Sequence, residues 1–139
     1  MLRVNKKLEY GILALLHLDE TSEKTASVRE ISSSCGIPVA LLSKIMQSMK
    51  SVGIVQAVHG NQGGYRLMRE LSQVSLLDIN QVLVGPVQVA DCLEPSVKAC
   101  PVKESCSIVV PMGRLNQKLI DLFSSTSLES LSPGRKQAV

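Results

Sequence analysis

Between Ser27 and Gly53 the sequence carries two helix starts and two helix stops in quick succession. Ser27-Val28-Arg29-Glu30 has the form of a capping box, in which the hydroxyl and the carboxylate each satisfy a backbone donor. Val28, Ile31 and Cys35 then share one face, and Gly36 suits the left-handed position that ends a helix. Pro38 fits the first turn of the next helix. That helix is expected to run to about Val52, with Leu42, Ile45, Met46, Met49 and Val52 facing inward and Gly53 ending it. Ala40, Ser43, Lys44, Gln47 and Lys50 make up its other face, which is short, polar and cationic. Two short helices on the tight turn Gly36-Ile37-Pro38 form a helix-turn-helix pattern, a motif whose second helix can enter the major groove of DNA. Helical hairpins of this kind also occur in bundles that bind nothing, so the flanking sequence must decide.

The following segment supports a wing. Ile54 to Val58 is apolar and β-branched, His59 to Gly64 is dense in turn formers, and Tyr65 to Arg69 roughly alternates as a return strand. No helix opens directly after the glycines and no Gly-Lys-Ser/Thr follows, which excludes a phosphate-cradling nucleotide loop. Before the motif, Leu8, Ile12, Leu15 and Leu16 recur at helical spacing within Lys6 to Asp19. After it, Ser75 is the expected N-cap of a helix reaching Gly85-Pro86, with Asp78 at its positive end. A Pro/Cys loop follows to Cys106. From about Ser107 to Ser124, Ile108, Met112, Leu115, Leu119 and Leu122 alternate by four and three, an a/d seam for helix-on-helix pairing. Pro111 delays regular helix to near Val110. The tail from Ser125, with Ser132-Pro133-Gly134, is expected to fray.

The expected fold is therefore mainly α, a winged helix-turn-helix with a two-stranded wing and a long C-terminal dimerisation helix. Residues 1–84 would form the DNA-binding domain, 85–106 a cysteine-bearing loop, 107–124 the dimerisation helix and 125–139 the tail.

Charge agrees with this outline. From Ile31 to Arg69 there is no Asp or Glu, while Lys44, Lys50, Arg66 and Arg69 are present. A long carboxylate-free stretch suits a surface that meets a polyanion. Aromatic residues are only 2% of the chain, which disfavours recognition by stacking on single-stranded bases. On this reading Ser43, Lys44 and Gln47 face base edges and Ala40 offers a methyl to thymine. Lys50 and Arg66 touch phosphates, and His59, Asn61 and Gln62 lie along the minor groove or backbone. Two recognition helices in successive major grooves of a palindromic duplex would lie about 34 Å apart.

The longest apolar run, Ile12 to Leu16, has five residues, against the roughly 20 that a membrane span needs. Lys6, Lys7 and Glu9 interrupt the N-terminus and no cleavage site follows, so the expected compartment is the cytoplasm. There Cys92, Cys100 and Cys106, clustered on one loop, more often bind metal or sense redox state than form disulfides. Thiolates are soft ligands that favour iron–sulfur clusters, zinc or Cu(I). A thiol redox switch without metal is the alternative. Cys35 reads as a small core residue.

Several segments together resemble the Rrf-type family of bacterial winged-helix regulators. They include Glu9-Tyr10, Ser27 to Ile31, Gly36-Ile37-Pro38, Leu42-Ser43-Lys44-Ile45 and Gly53-Ile54-Val55. Gly63-Gly64-Tyr65-Arg66-Leu67, Leu77-Asp78-Ile79, Leu83 to Pro86 and Ser127-Leu128-Glu129-Ser130-Leu131 match as well. The resemblance implies a homodimeric regulator of transcription that binds a double-stranded operator, with RNA polymerase as a further partner. It also implies an iron–sulfur cluster, 2Fe–2S or 4Fe–4S, on Cys92, Cys100 and Cys106, with Glu9 of the second subunit as fourth ligand. The chain departs from the family pattern in three places. His59 stands where an arginine is usual, the cysteines are spaced by seven and five residues, and Val109 replaces a histidine that ligates in some members.

Two other classes are weaker. A redox enzyme or cluster carrier would want a paired C-x-x-C or a nucleophile–base pair, and neither occurs. A purely structural module on the heptad helix leaves the carboxylate-free stretch unexplained.

Overall fold

The computed structural model describes residues 3–61, 63–95 and 100–134. Gln62, one of the expected wing contacts, lies outside the described residues, as do residues 135–139 of the tail.

Helix α1 (Lys6–Glu20) is the hub. Asn5 caps it, its side chain accepting from the Lys7 N–H at 2.8 Å. Leu8, Gly11, Ala14, Leu15 and Leu18 are buried along one face, because their spacing repeats the helical turn. α2 (Val28–Cys35), α3 (Val39–Ser51) and α4 (Leu76–Leu83) all pack on α1. Ile31, Ile37, Leu42, Met46, Met49 and Ile79 complete a single core.

Both expected helix starts are present. Ser27 Oγ accepts from the Glu30 N–H at 3.1 Å, and Glu30 returns the bond to the Ser27 N–H at 2.6 Å. These bonds to Ser27, the backbone one foremost, hold the Glu30 carboxyl below the usual carboxylate range. A lowered folded-state value means that the stabilisation is present at neutral pH and fades as pH falls through that value. Ser75 and Asp78 form the same box at α4. Gly36 ends α2 at φ +69°, and buried Ile37 pins the turn. Pro38 is the N-cap of α3 rather than a residue of its first turn. The sequence places Val52 on the inner face of α3, but it is half exposed. The reason is that α3 ends at Ser51, so Val52 leaves the helical face that Met49 closes.

The wing strands β2 (Val55–Val58) and β3 (Gly64–Leu67) pair antiparallel as expected. A third strand, β1 (Thr25–Ala26), joins the far edge of β3 in the order β1-β3-β2. It depends on Gly64, where a Cβ would overlap the carbonyl oxygen of Ala26. α5 (Val109–Ser125) packs on α4. The segment after Ser125 does not fray as the sequence suggests. The Leu76 N–H donates to Thr126 O and the Leu128 N–H to Val74 O, both at 2.8 Å, and the Leu128 side chain is fully buried. Burial of one leucine and a two-bond bridge outweigh the polar composition around them.

Substituting Gly64 by alanine should force β1 and β3 apart and cost about 1–3 kcal/mol. Urea unfolding checks this. The midpoint should fall, whereas alanine at Gly113, a position within α5 that meets open space, should raise it by the helix preference for alanine, about 0.5–1 kcal/mol.

Candidate nucleic-acid interface and cysteine loop

The outer side of α3 carries no acidic residue and no core duty. Val39, Ala40, Lys44, Gln47 and Lys50 are exposed and Ser43 is partly so. All five expected recognition-helix residues therefore share one accessible face. Ser43 Oγ donates to Val39 O at 2.9 Å and Ser48 Oγ to Lys44 O at 3.0 Å, so these hydroxyls are folded back onto the helix. Pro38 supplies no side-chain cap, which leaves the N–H groups of the first turn open toward the positive end of the helix dipole.

The wing follows α3 directly, and its first strand contacts that helix. His59 and Asn61 are exposed at the tip of the wing, and Gly60 adopts φ +128° in the turn between the strands. Arg66 is exposed on β3 and its Nε donates to Thr25 Oγ1 at 3.1 Å. That bond ties its guanidinium to β1, which the sequence reading missed because two residues carry no alternation. A cavity of about 580 Å³ separates the wing from the start of α2. Glu23 and Glu30 line it together with His59, Asn61 and Arg66, so carboxylates disfavour phosphate inside it.

The cysteine loop is tethered at its start. Asn80, the one buried polar side chain among the described residues, donates from Nδ2 to Gly85 O at 2.8 Å. The Val89 N–H donates to Asn116 Oδ1 of α5 at 2.9 Å, again a contact the sequence did not reveal. Cys92 sits in the 3-10 turn Asp91–Leu93, and Cys106 caps the 3-10 turn Lys103–Ser105. The Lys103 N–H donates to Cys100 O at 3.0 Å, which folds the intervening residues into a compact turn. All three thiols are free and partly buried. Among the described residues, no three His, Cys, Asp or Glu side chains converge as a metal-holding group. Glu9 stands apart in the first turn of α1, paired with Lys6 at 2.5 Å. One copy of the chain thus offers three soft donors on one loop, chemistry that fits an iron–sulfur cluster, but does not bring Glu9 to them.

Cys35 differs from the loop cysteines. It packs against the core beside Leu13 O, and burial, then the nearby Glu20 charge, push its thiol up. A raised thiol holds little thiolate at neutral pH and reacts slowly.

α5 divides its apolar residues. Leu119 and Phe123 turn inward, lining a groove with Leu8, Val84 and Val87. Ile108, Leu115 and Leu122 are exposed along the flank next to Leu119, and Val110 is exposed on the far side. Of the expected seam, Leu119 is therefore shared with the chain's own body, and Ile108, Leu115 and Leu122 remain open. No helix among the described residues is long and apolar enough to cross a membrane.

Comparison with known proteins gives this arrangement a family. The Rrf2 profile, described as an iron-dependent transcriptional regulator, matches residues 4–133. The chain is 26% identical over 136 residues to protein aau3 of Rhizobium meliloti, covering 98% of this chain and 88% of that protein. Its fold is similar to that of CymR, the global cysteine regulator of B. subtilis, with TM-score 0.76 and 23% identity, covering 98% of this chain and all of CymR. It is also similar to T. potens IscR, with TM-score 0.70 and 23% identity, covering 99% of this chain and 94% of IscR. The carboxylate-free face of α3, the wing beside it and the match across nearly the whole length lead to one conclusion: the chain belongs to the Rrf2 family and is a DNA-binding transcriptional regulator, not an enzyme.

Proposed function

We propose that this chain acts in the cytoplasm as a homodimer that binds a palindromic duplex operator, and that its cysteine loop senses iron, redox state or nitric oxide. The observation that carries the reading is the pairing of two unpartnered surfaces. α3 presents a carboxylate-free face, and α5 with its N-cap leaves Ile108, Leu115 and Leu122 exposed on the flank beside its inward-facing Leu119. An apolar stripe at heptad spacing is covered when a second copy packs against it. A twofold axis through α5 then sets two α3 helices on one side of the dimer, the arrangement that palindromic sites require. In each copy Ser43, Lys44 and Gln47 meet base edges and Ala40 a thymine methyl. Lys50 and Arg66 meet phosphates, while His59, Asn61 and Gln62 follow the wing-side backbone or minor groove.

Cys92, Cys100 and Cys106 would hold an iron–sulfur cluster, with Glu9 of the second copy as the fourth and harder ligand. When bound, such a group supplies a redox-sensitive crosslink among thiolates that otherwise ride on a loop. The loop's own residues carry the consequence. Val89, tied to Asn116, transmits any change of loop shape to α5 and hence to the spacing of the two α3 helices. A cofactor-free thiol switch is the second reading. It is favoured by the free state of the three thiols and by the lack of a converged metal-holding group among the described residues.

The dimer reading is tested by sedimentation and gel retardation. Leu115→Asp with Leu122→Asp should convert a dimer to a monomer and weaken operator binding at least about tenfold, since each half-site then binds alone. Lys50→Ala, which removes one phosphate contact from each of the two copies, should lower the salt slope of binding by about two, whereas Lys44→Ala should relax base discrimination at one position of each half-site. A wild-type monomer that retards no genomic fragment overturns the proposal.

The sensor reading is tested by anaerobic reconstitution with iron and sulfide. Cys100→Ala should lose the visible chromophore, and Glu9→Ala should keep a cluster with altered spectrum or lifetime. Loaded and empty wild type should differ in operator affinity by about 5- to 150-fold, the usual range of allosteric coupling. Equal iron and sulfide uptake by Cys100→Ala removes the three-cysteine assignment. A wild type that takes up no iron, yet loses operator affinity on mild oxidation through these cysteines, establishes the thiol switch instead.

A further inference from the structure

We propose that Val39 and Ser43 form a two-residue reading head, in which Val39 packs on a thymine methyl and Ser43 accepts a hydrogen bond from the exocyclic amino group of a neighbouring adenine or cytosine. The inference rests on the reading of α3 as the recognition helix and adds to it a residue, Val39, and a polarity, acceptor only, for Ser43.

Val39 is the first residue of α3 and is 47% exposed. Exposed apolar side chains are scattered over the described surface, Leu13, Val52, Met68 and Val102 among them, so exposure alone gives Val39 no role. What sets Val39 apart is its place, in the first turn of α3 beside Ala40, Ser43 and Lys44 on the face that carries no acidic residue. The first turn of a recognition helix is the part that reaches base edges. The one apolar feature of the major groove is the C5-methyl of thymine. Val39 offers two branched methyls to it, and its β-branch holds them in one rotamer on the helix. Ala40, with a single methyl, lies next to it and can extend the same apolar surface.

Ser43 sits one turn on, four residues from Val39, and its hydroxyl proton is committed to Val39 O at 2.9 Å. A serine hydroxyl has one donor and two acceptor lone pairs. With the donor spent inside the helix, the hydroxyl has only acceptor capacity left to offer a base edge. Base-edge acceptors, such as guanine O6 and N7 or thymine O4, find no proton there. Adenine N6 and cytosine N4 do find an acceptor. Four residues of helix rise about 6 Å, close to two base-pair steps, so the two side chains address nearby positions within one half-site rather than the same base. No carboxylate on α3 competes for the amino group. The same backbone bond couples the two residues, because it fixes the Ser43 rotamer to the position of the Val39 carbonyl.

The test starts by selecting an operator from a random duplex library with the full-length wild-type protein. The selected duplex is then scanned with uracil for thymine, which removes only a methyl, and with purine for adenine or 2-pyrimidinone for cytosine, which removes only the amino group. Wild type should lose about fourfold in affinity at one thymine of each half-site, the value of roughly one buried methyl. Val39→Ala should bind the intact operator less tightly and show no further loss with uracil at that position. Wild type should also lose about fivefold where one amino group is removed, the value of one neutral hydrogen bond. Ser43→Ala should abolish that loss alone. Both residues lie outside the core, and thermal melting confirms that the variants remain folded. If every uracil and amino-deletion penalty is the same in the variants as in wild type, the reading head is wrong. If no duplex is enriched at all, the DNA-binding reading of α3 fails first, and the two failures are told apart by that step.

Discussion

Gly11 allows α1 and α4 to meet without a side chain between them. A Cβ there would overlap Leu83 Cδ1 and reach ordinary contact with Ile79 and Ile45. Because α1 also carries α2 and α3, this crossing sets where the outer face of α3 points relative to α4, and through α4 where α5 leaves the body. Close packing in an interior resists a change of even one methylene, so the separation of these two surfaces is a fixed dimension of the protein. In the proposed dimer, which would set two recognition helices a groove repeat apart, the core that stabilises one subunit would also fix that dimension.

Function in this molecule is placed on surfaces that the core does not need. α3 divides cleanly: Leu42, Ile45, Met46 and Met49 are buried, and the intervening positions are released to solvent. The wing is similar in kind. Leu67 and Val55 anchor it in the core, while its tip carries only turn residues and short polar side chains. The acidic floor between the wing and α2 adds a boundary to this surface. Glu30 is held there by its capping bonds, so a carboxylate needed to start a helix also keeps the polyanion on the intended side.

Much of this could be read from sequence because local signals agreed with the final fold. Ser27 with Glu30 and Ser75 with Asp78 start helices by bonds that span three residues, and Gly36 ends one by its own backbone freedom. What escaped depends on distant partners. β1 exists because Gly64, nearly forty residues on, lets a strand come close, and nothing in Thr25-Ala26 announces that. Leu128 stands alone in a serine-rich segment, so its burial is invisible to any periodicity. The α5 seam was legible as apolar spacing, but the division of Leu119 inward and Leu115 outward follows only from where α4 lies. The cysteines were legible as a group, whereas the proposed fourth ligand, from a second copy, would have no signature in the structure of one chain.

The docking of Leu128 gives α5 a mechanical character. The helix is fastened at its C-terminal end by the Ser75–Ser127 bridge and by a leucine sunk into the core. Its N-terminal end receives the cysteine loop. Seventeen residues of helix make a rod of about 25 Å, pivoted at one end and loaded at the other. The Asn116 tether to Val89 acts near the middle of that rod. A displacement of the loop therefore works with leverage, turning a small shift at its free end into a change of tilt. Because the pivot is bonded directly to the start of α4, the torque is delivered to the same helix that packs against α1 and α3.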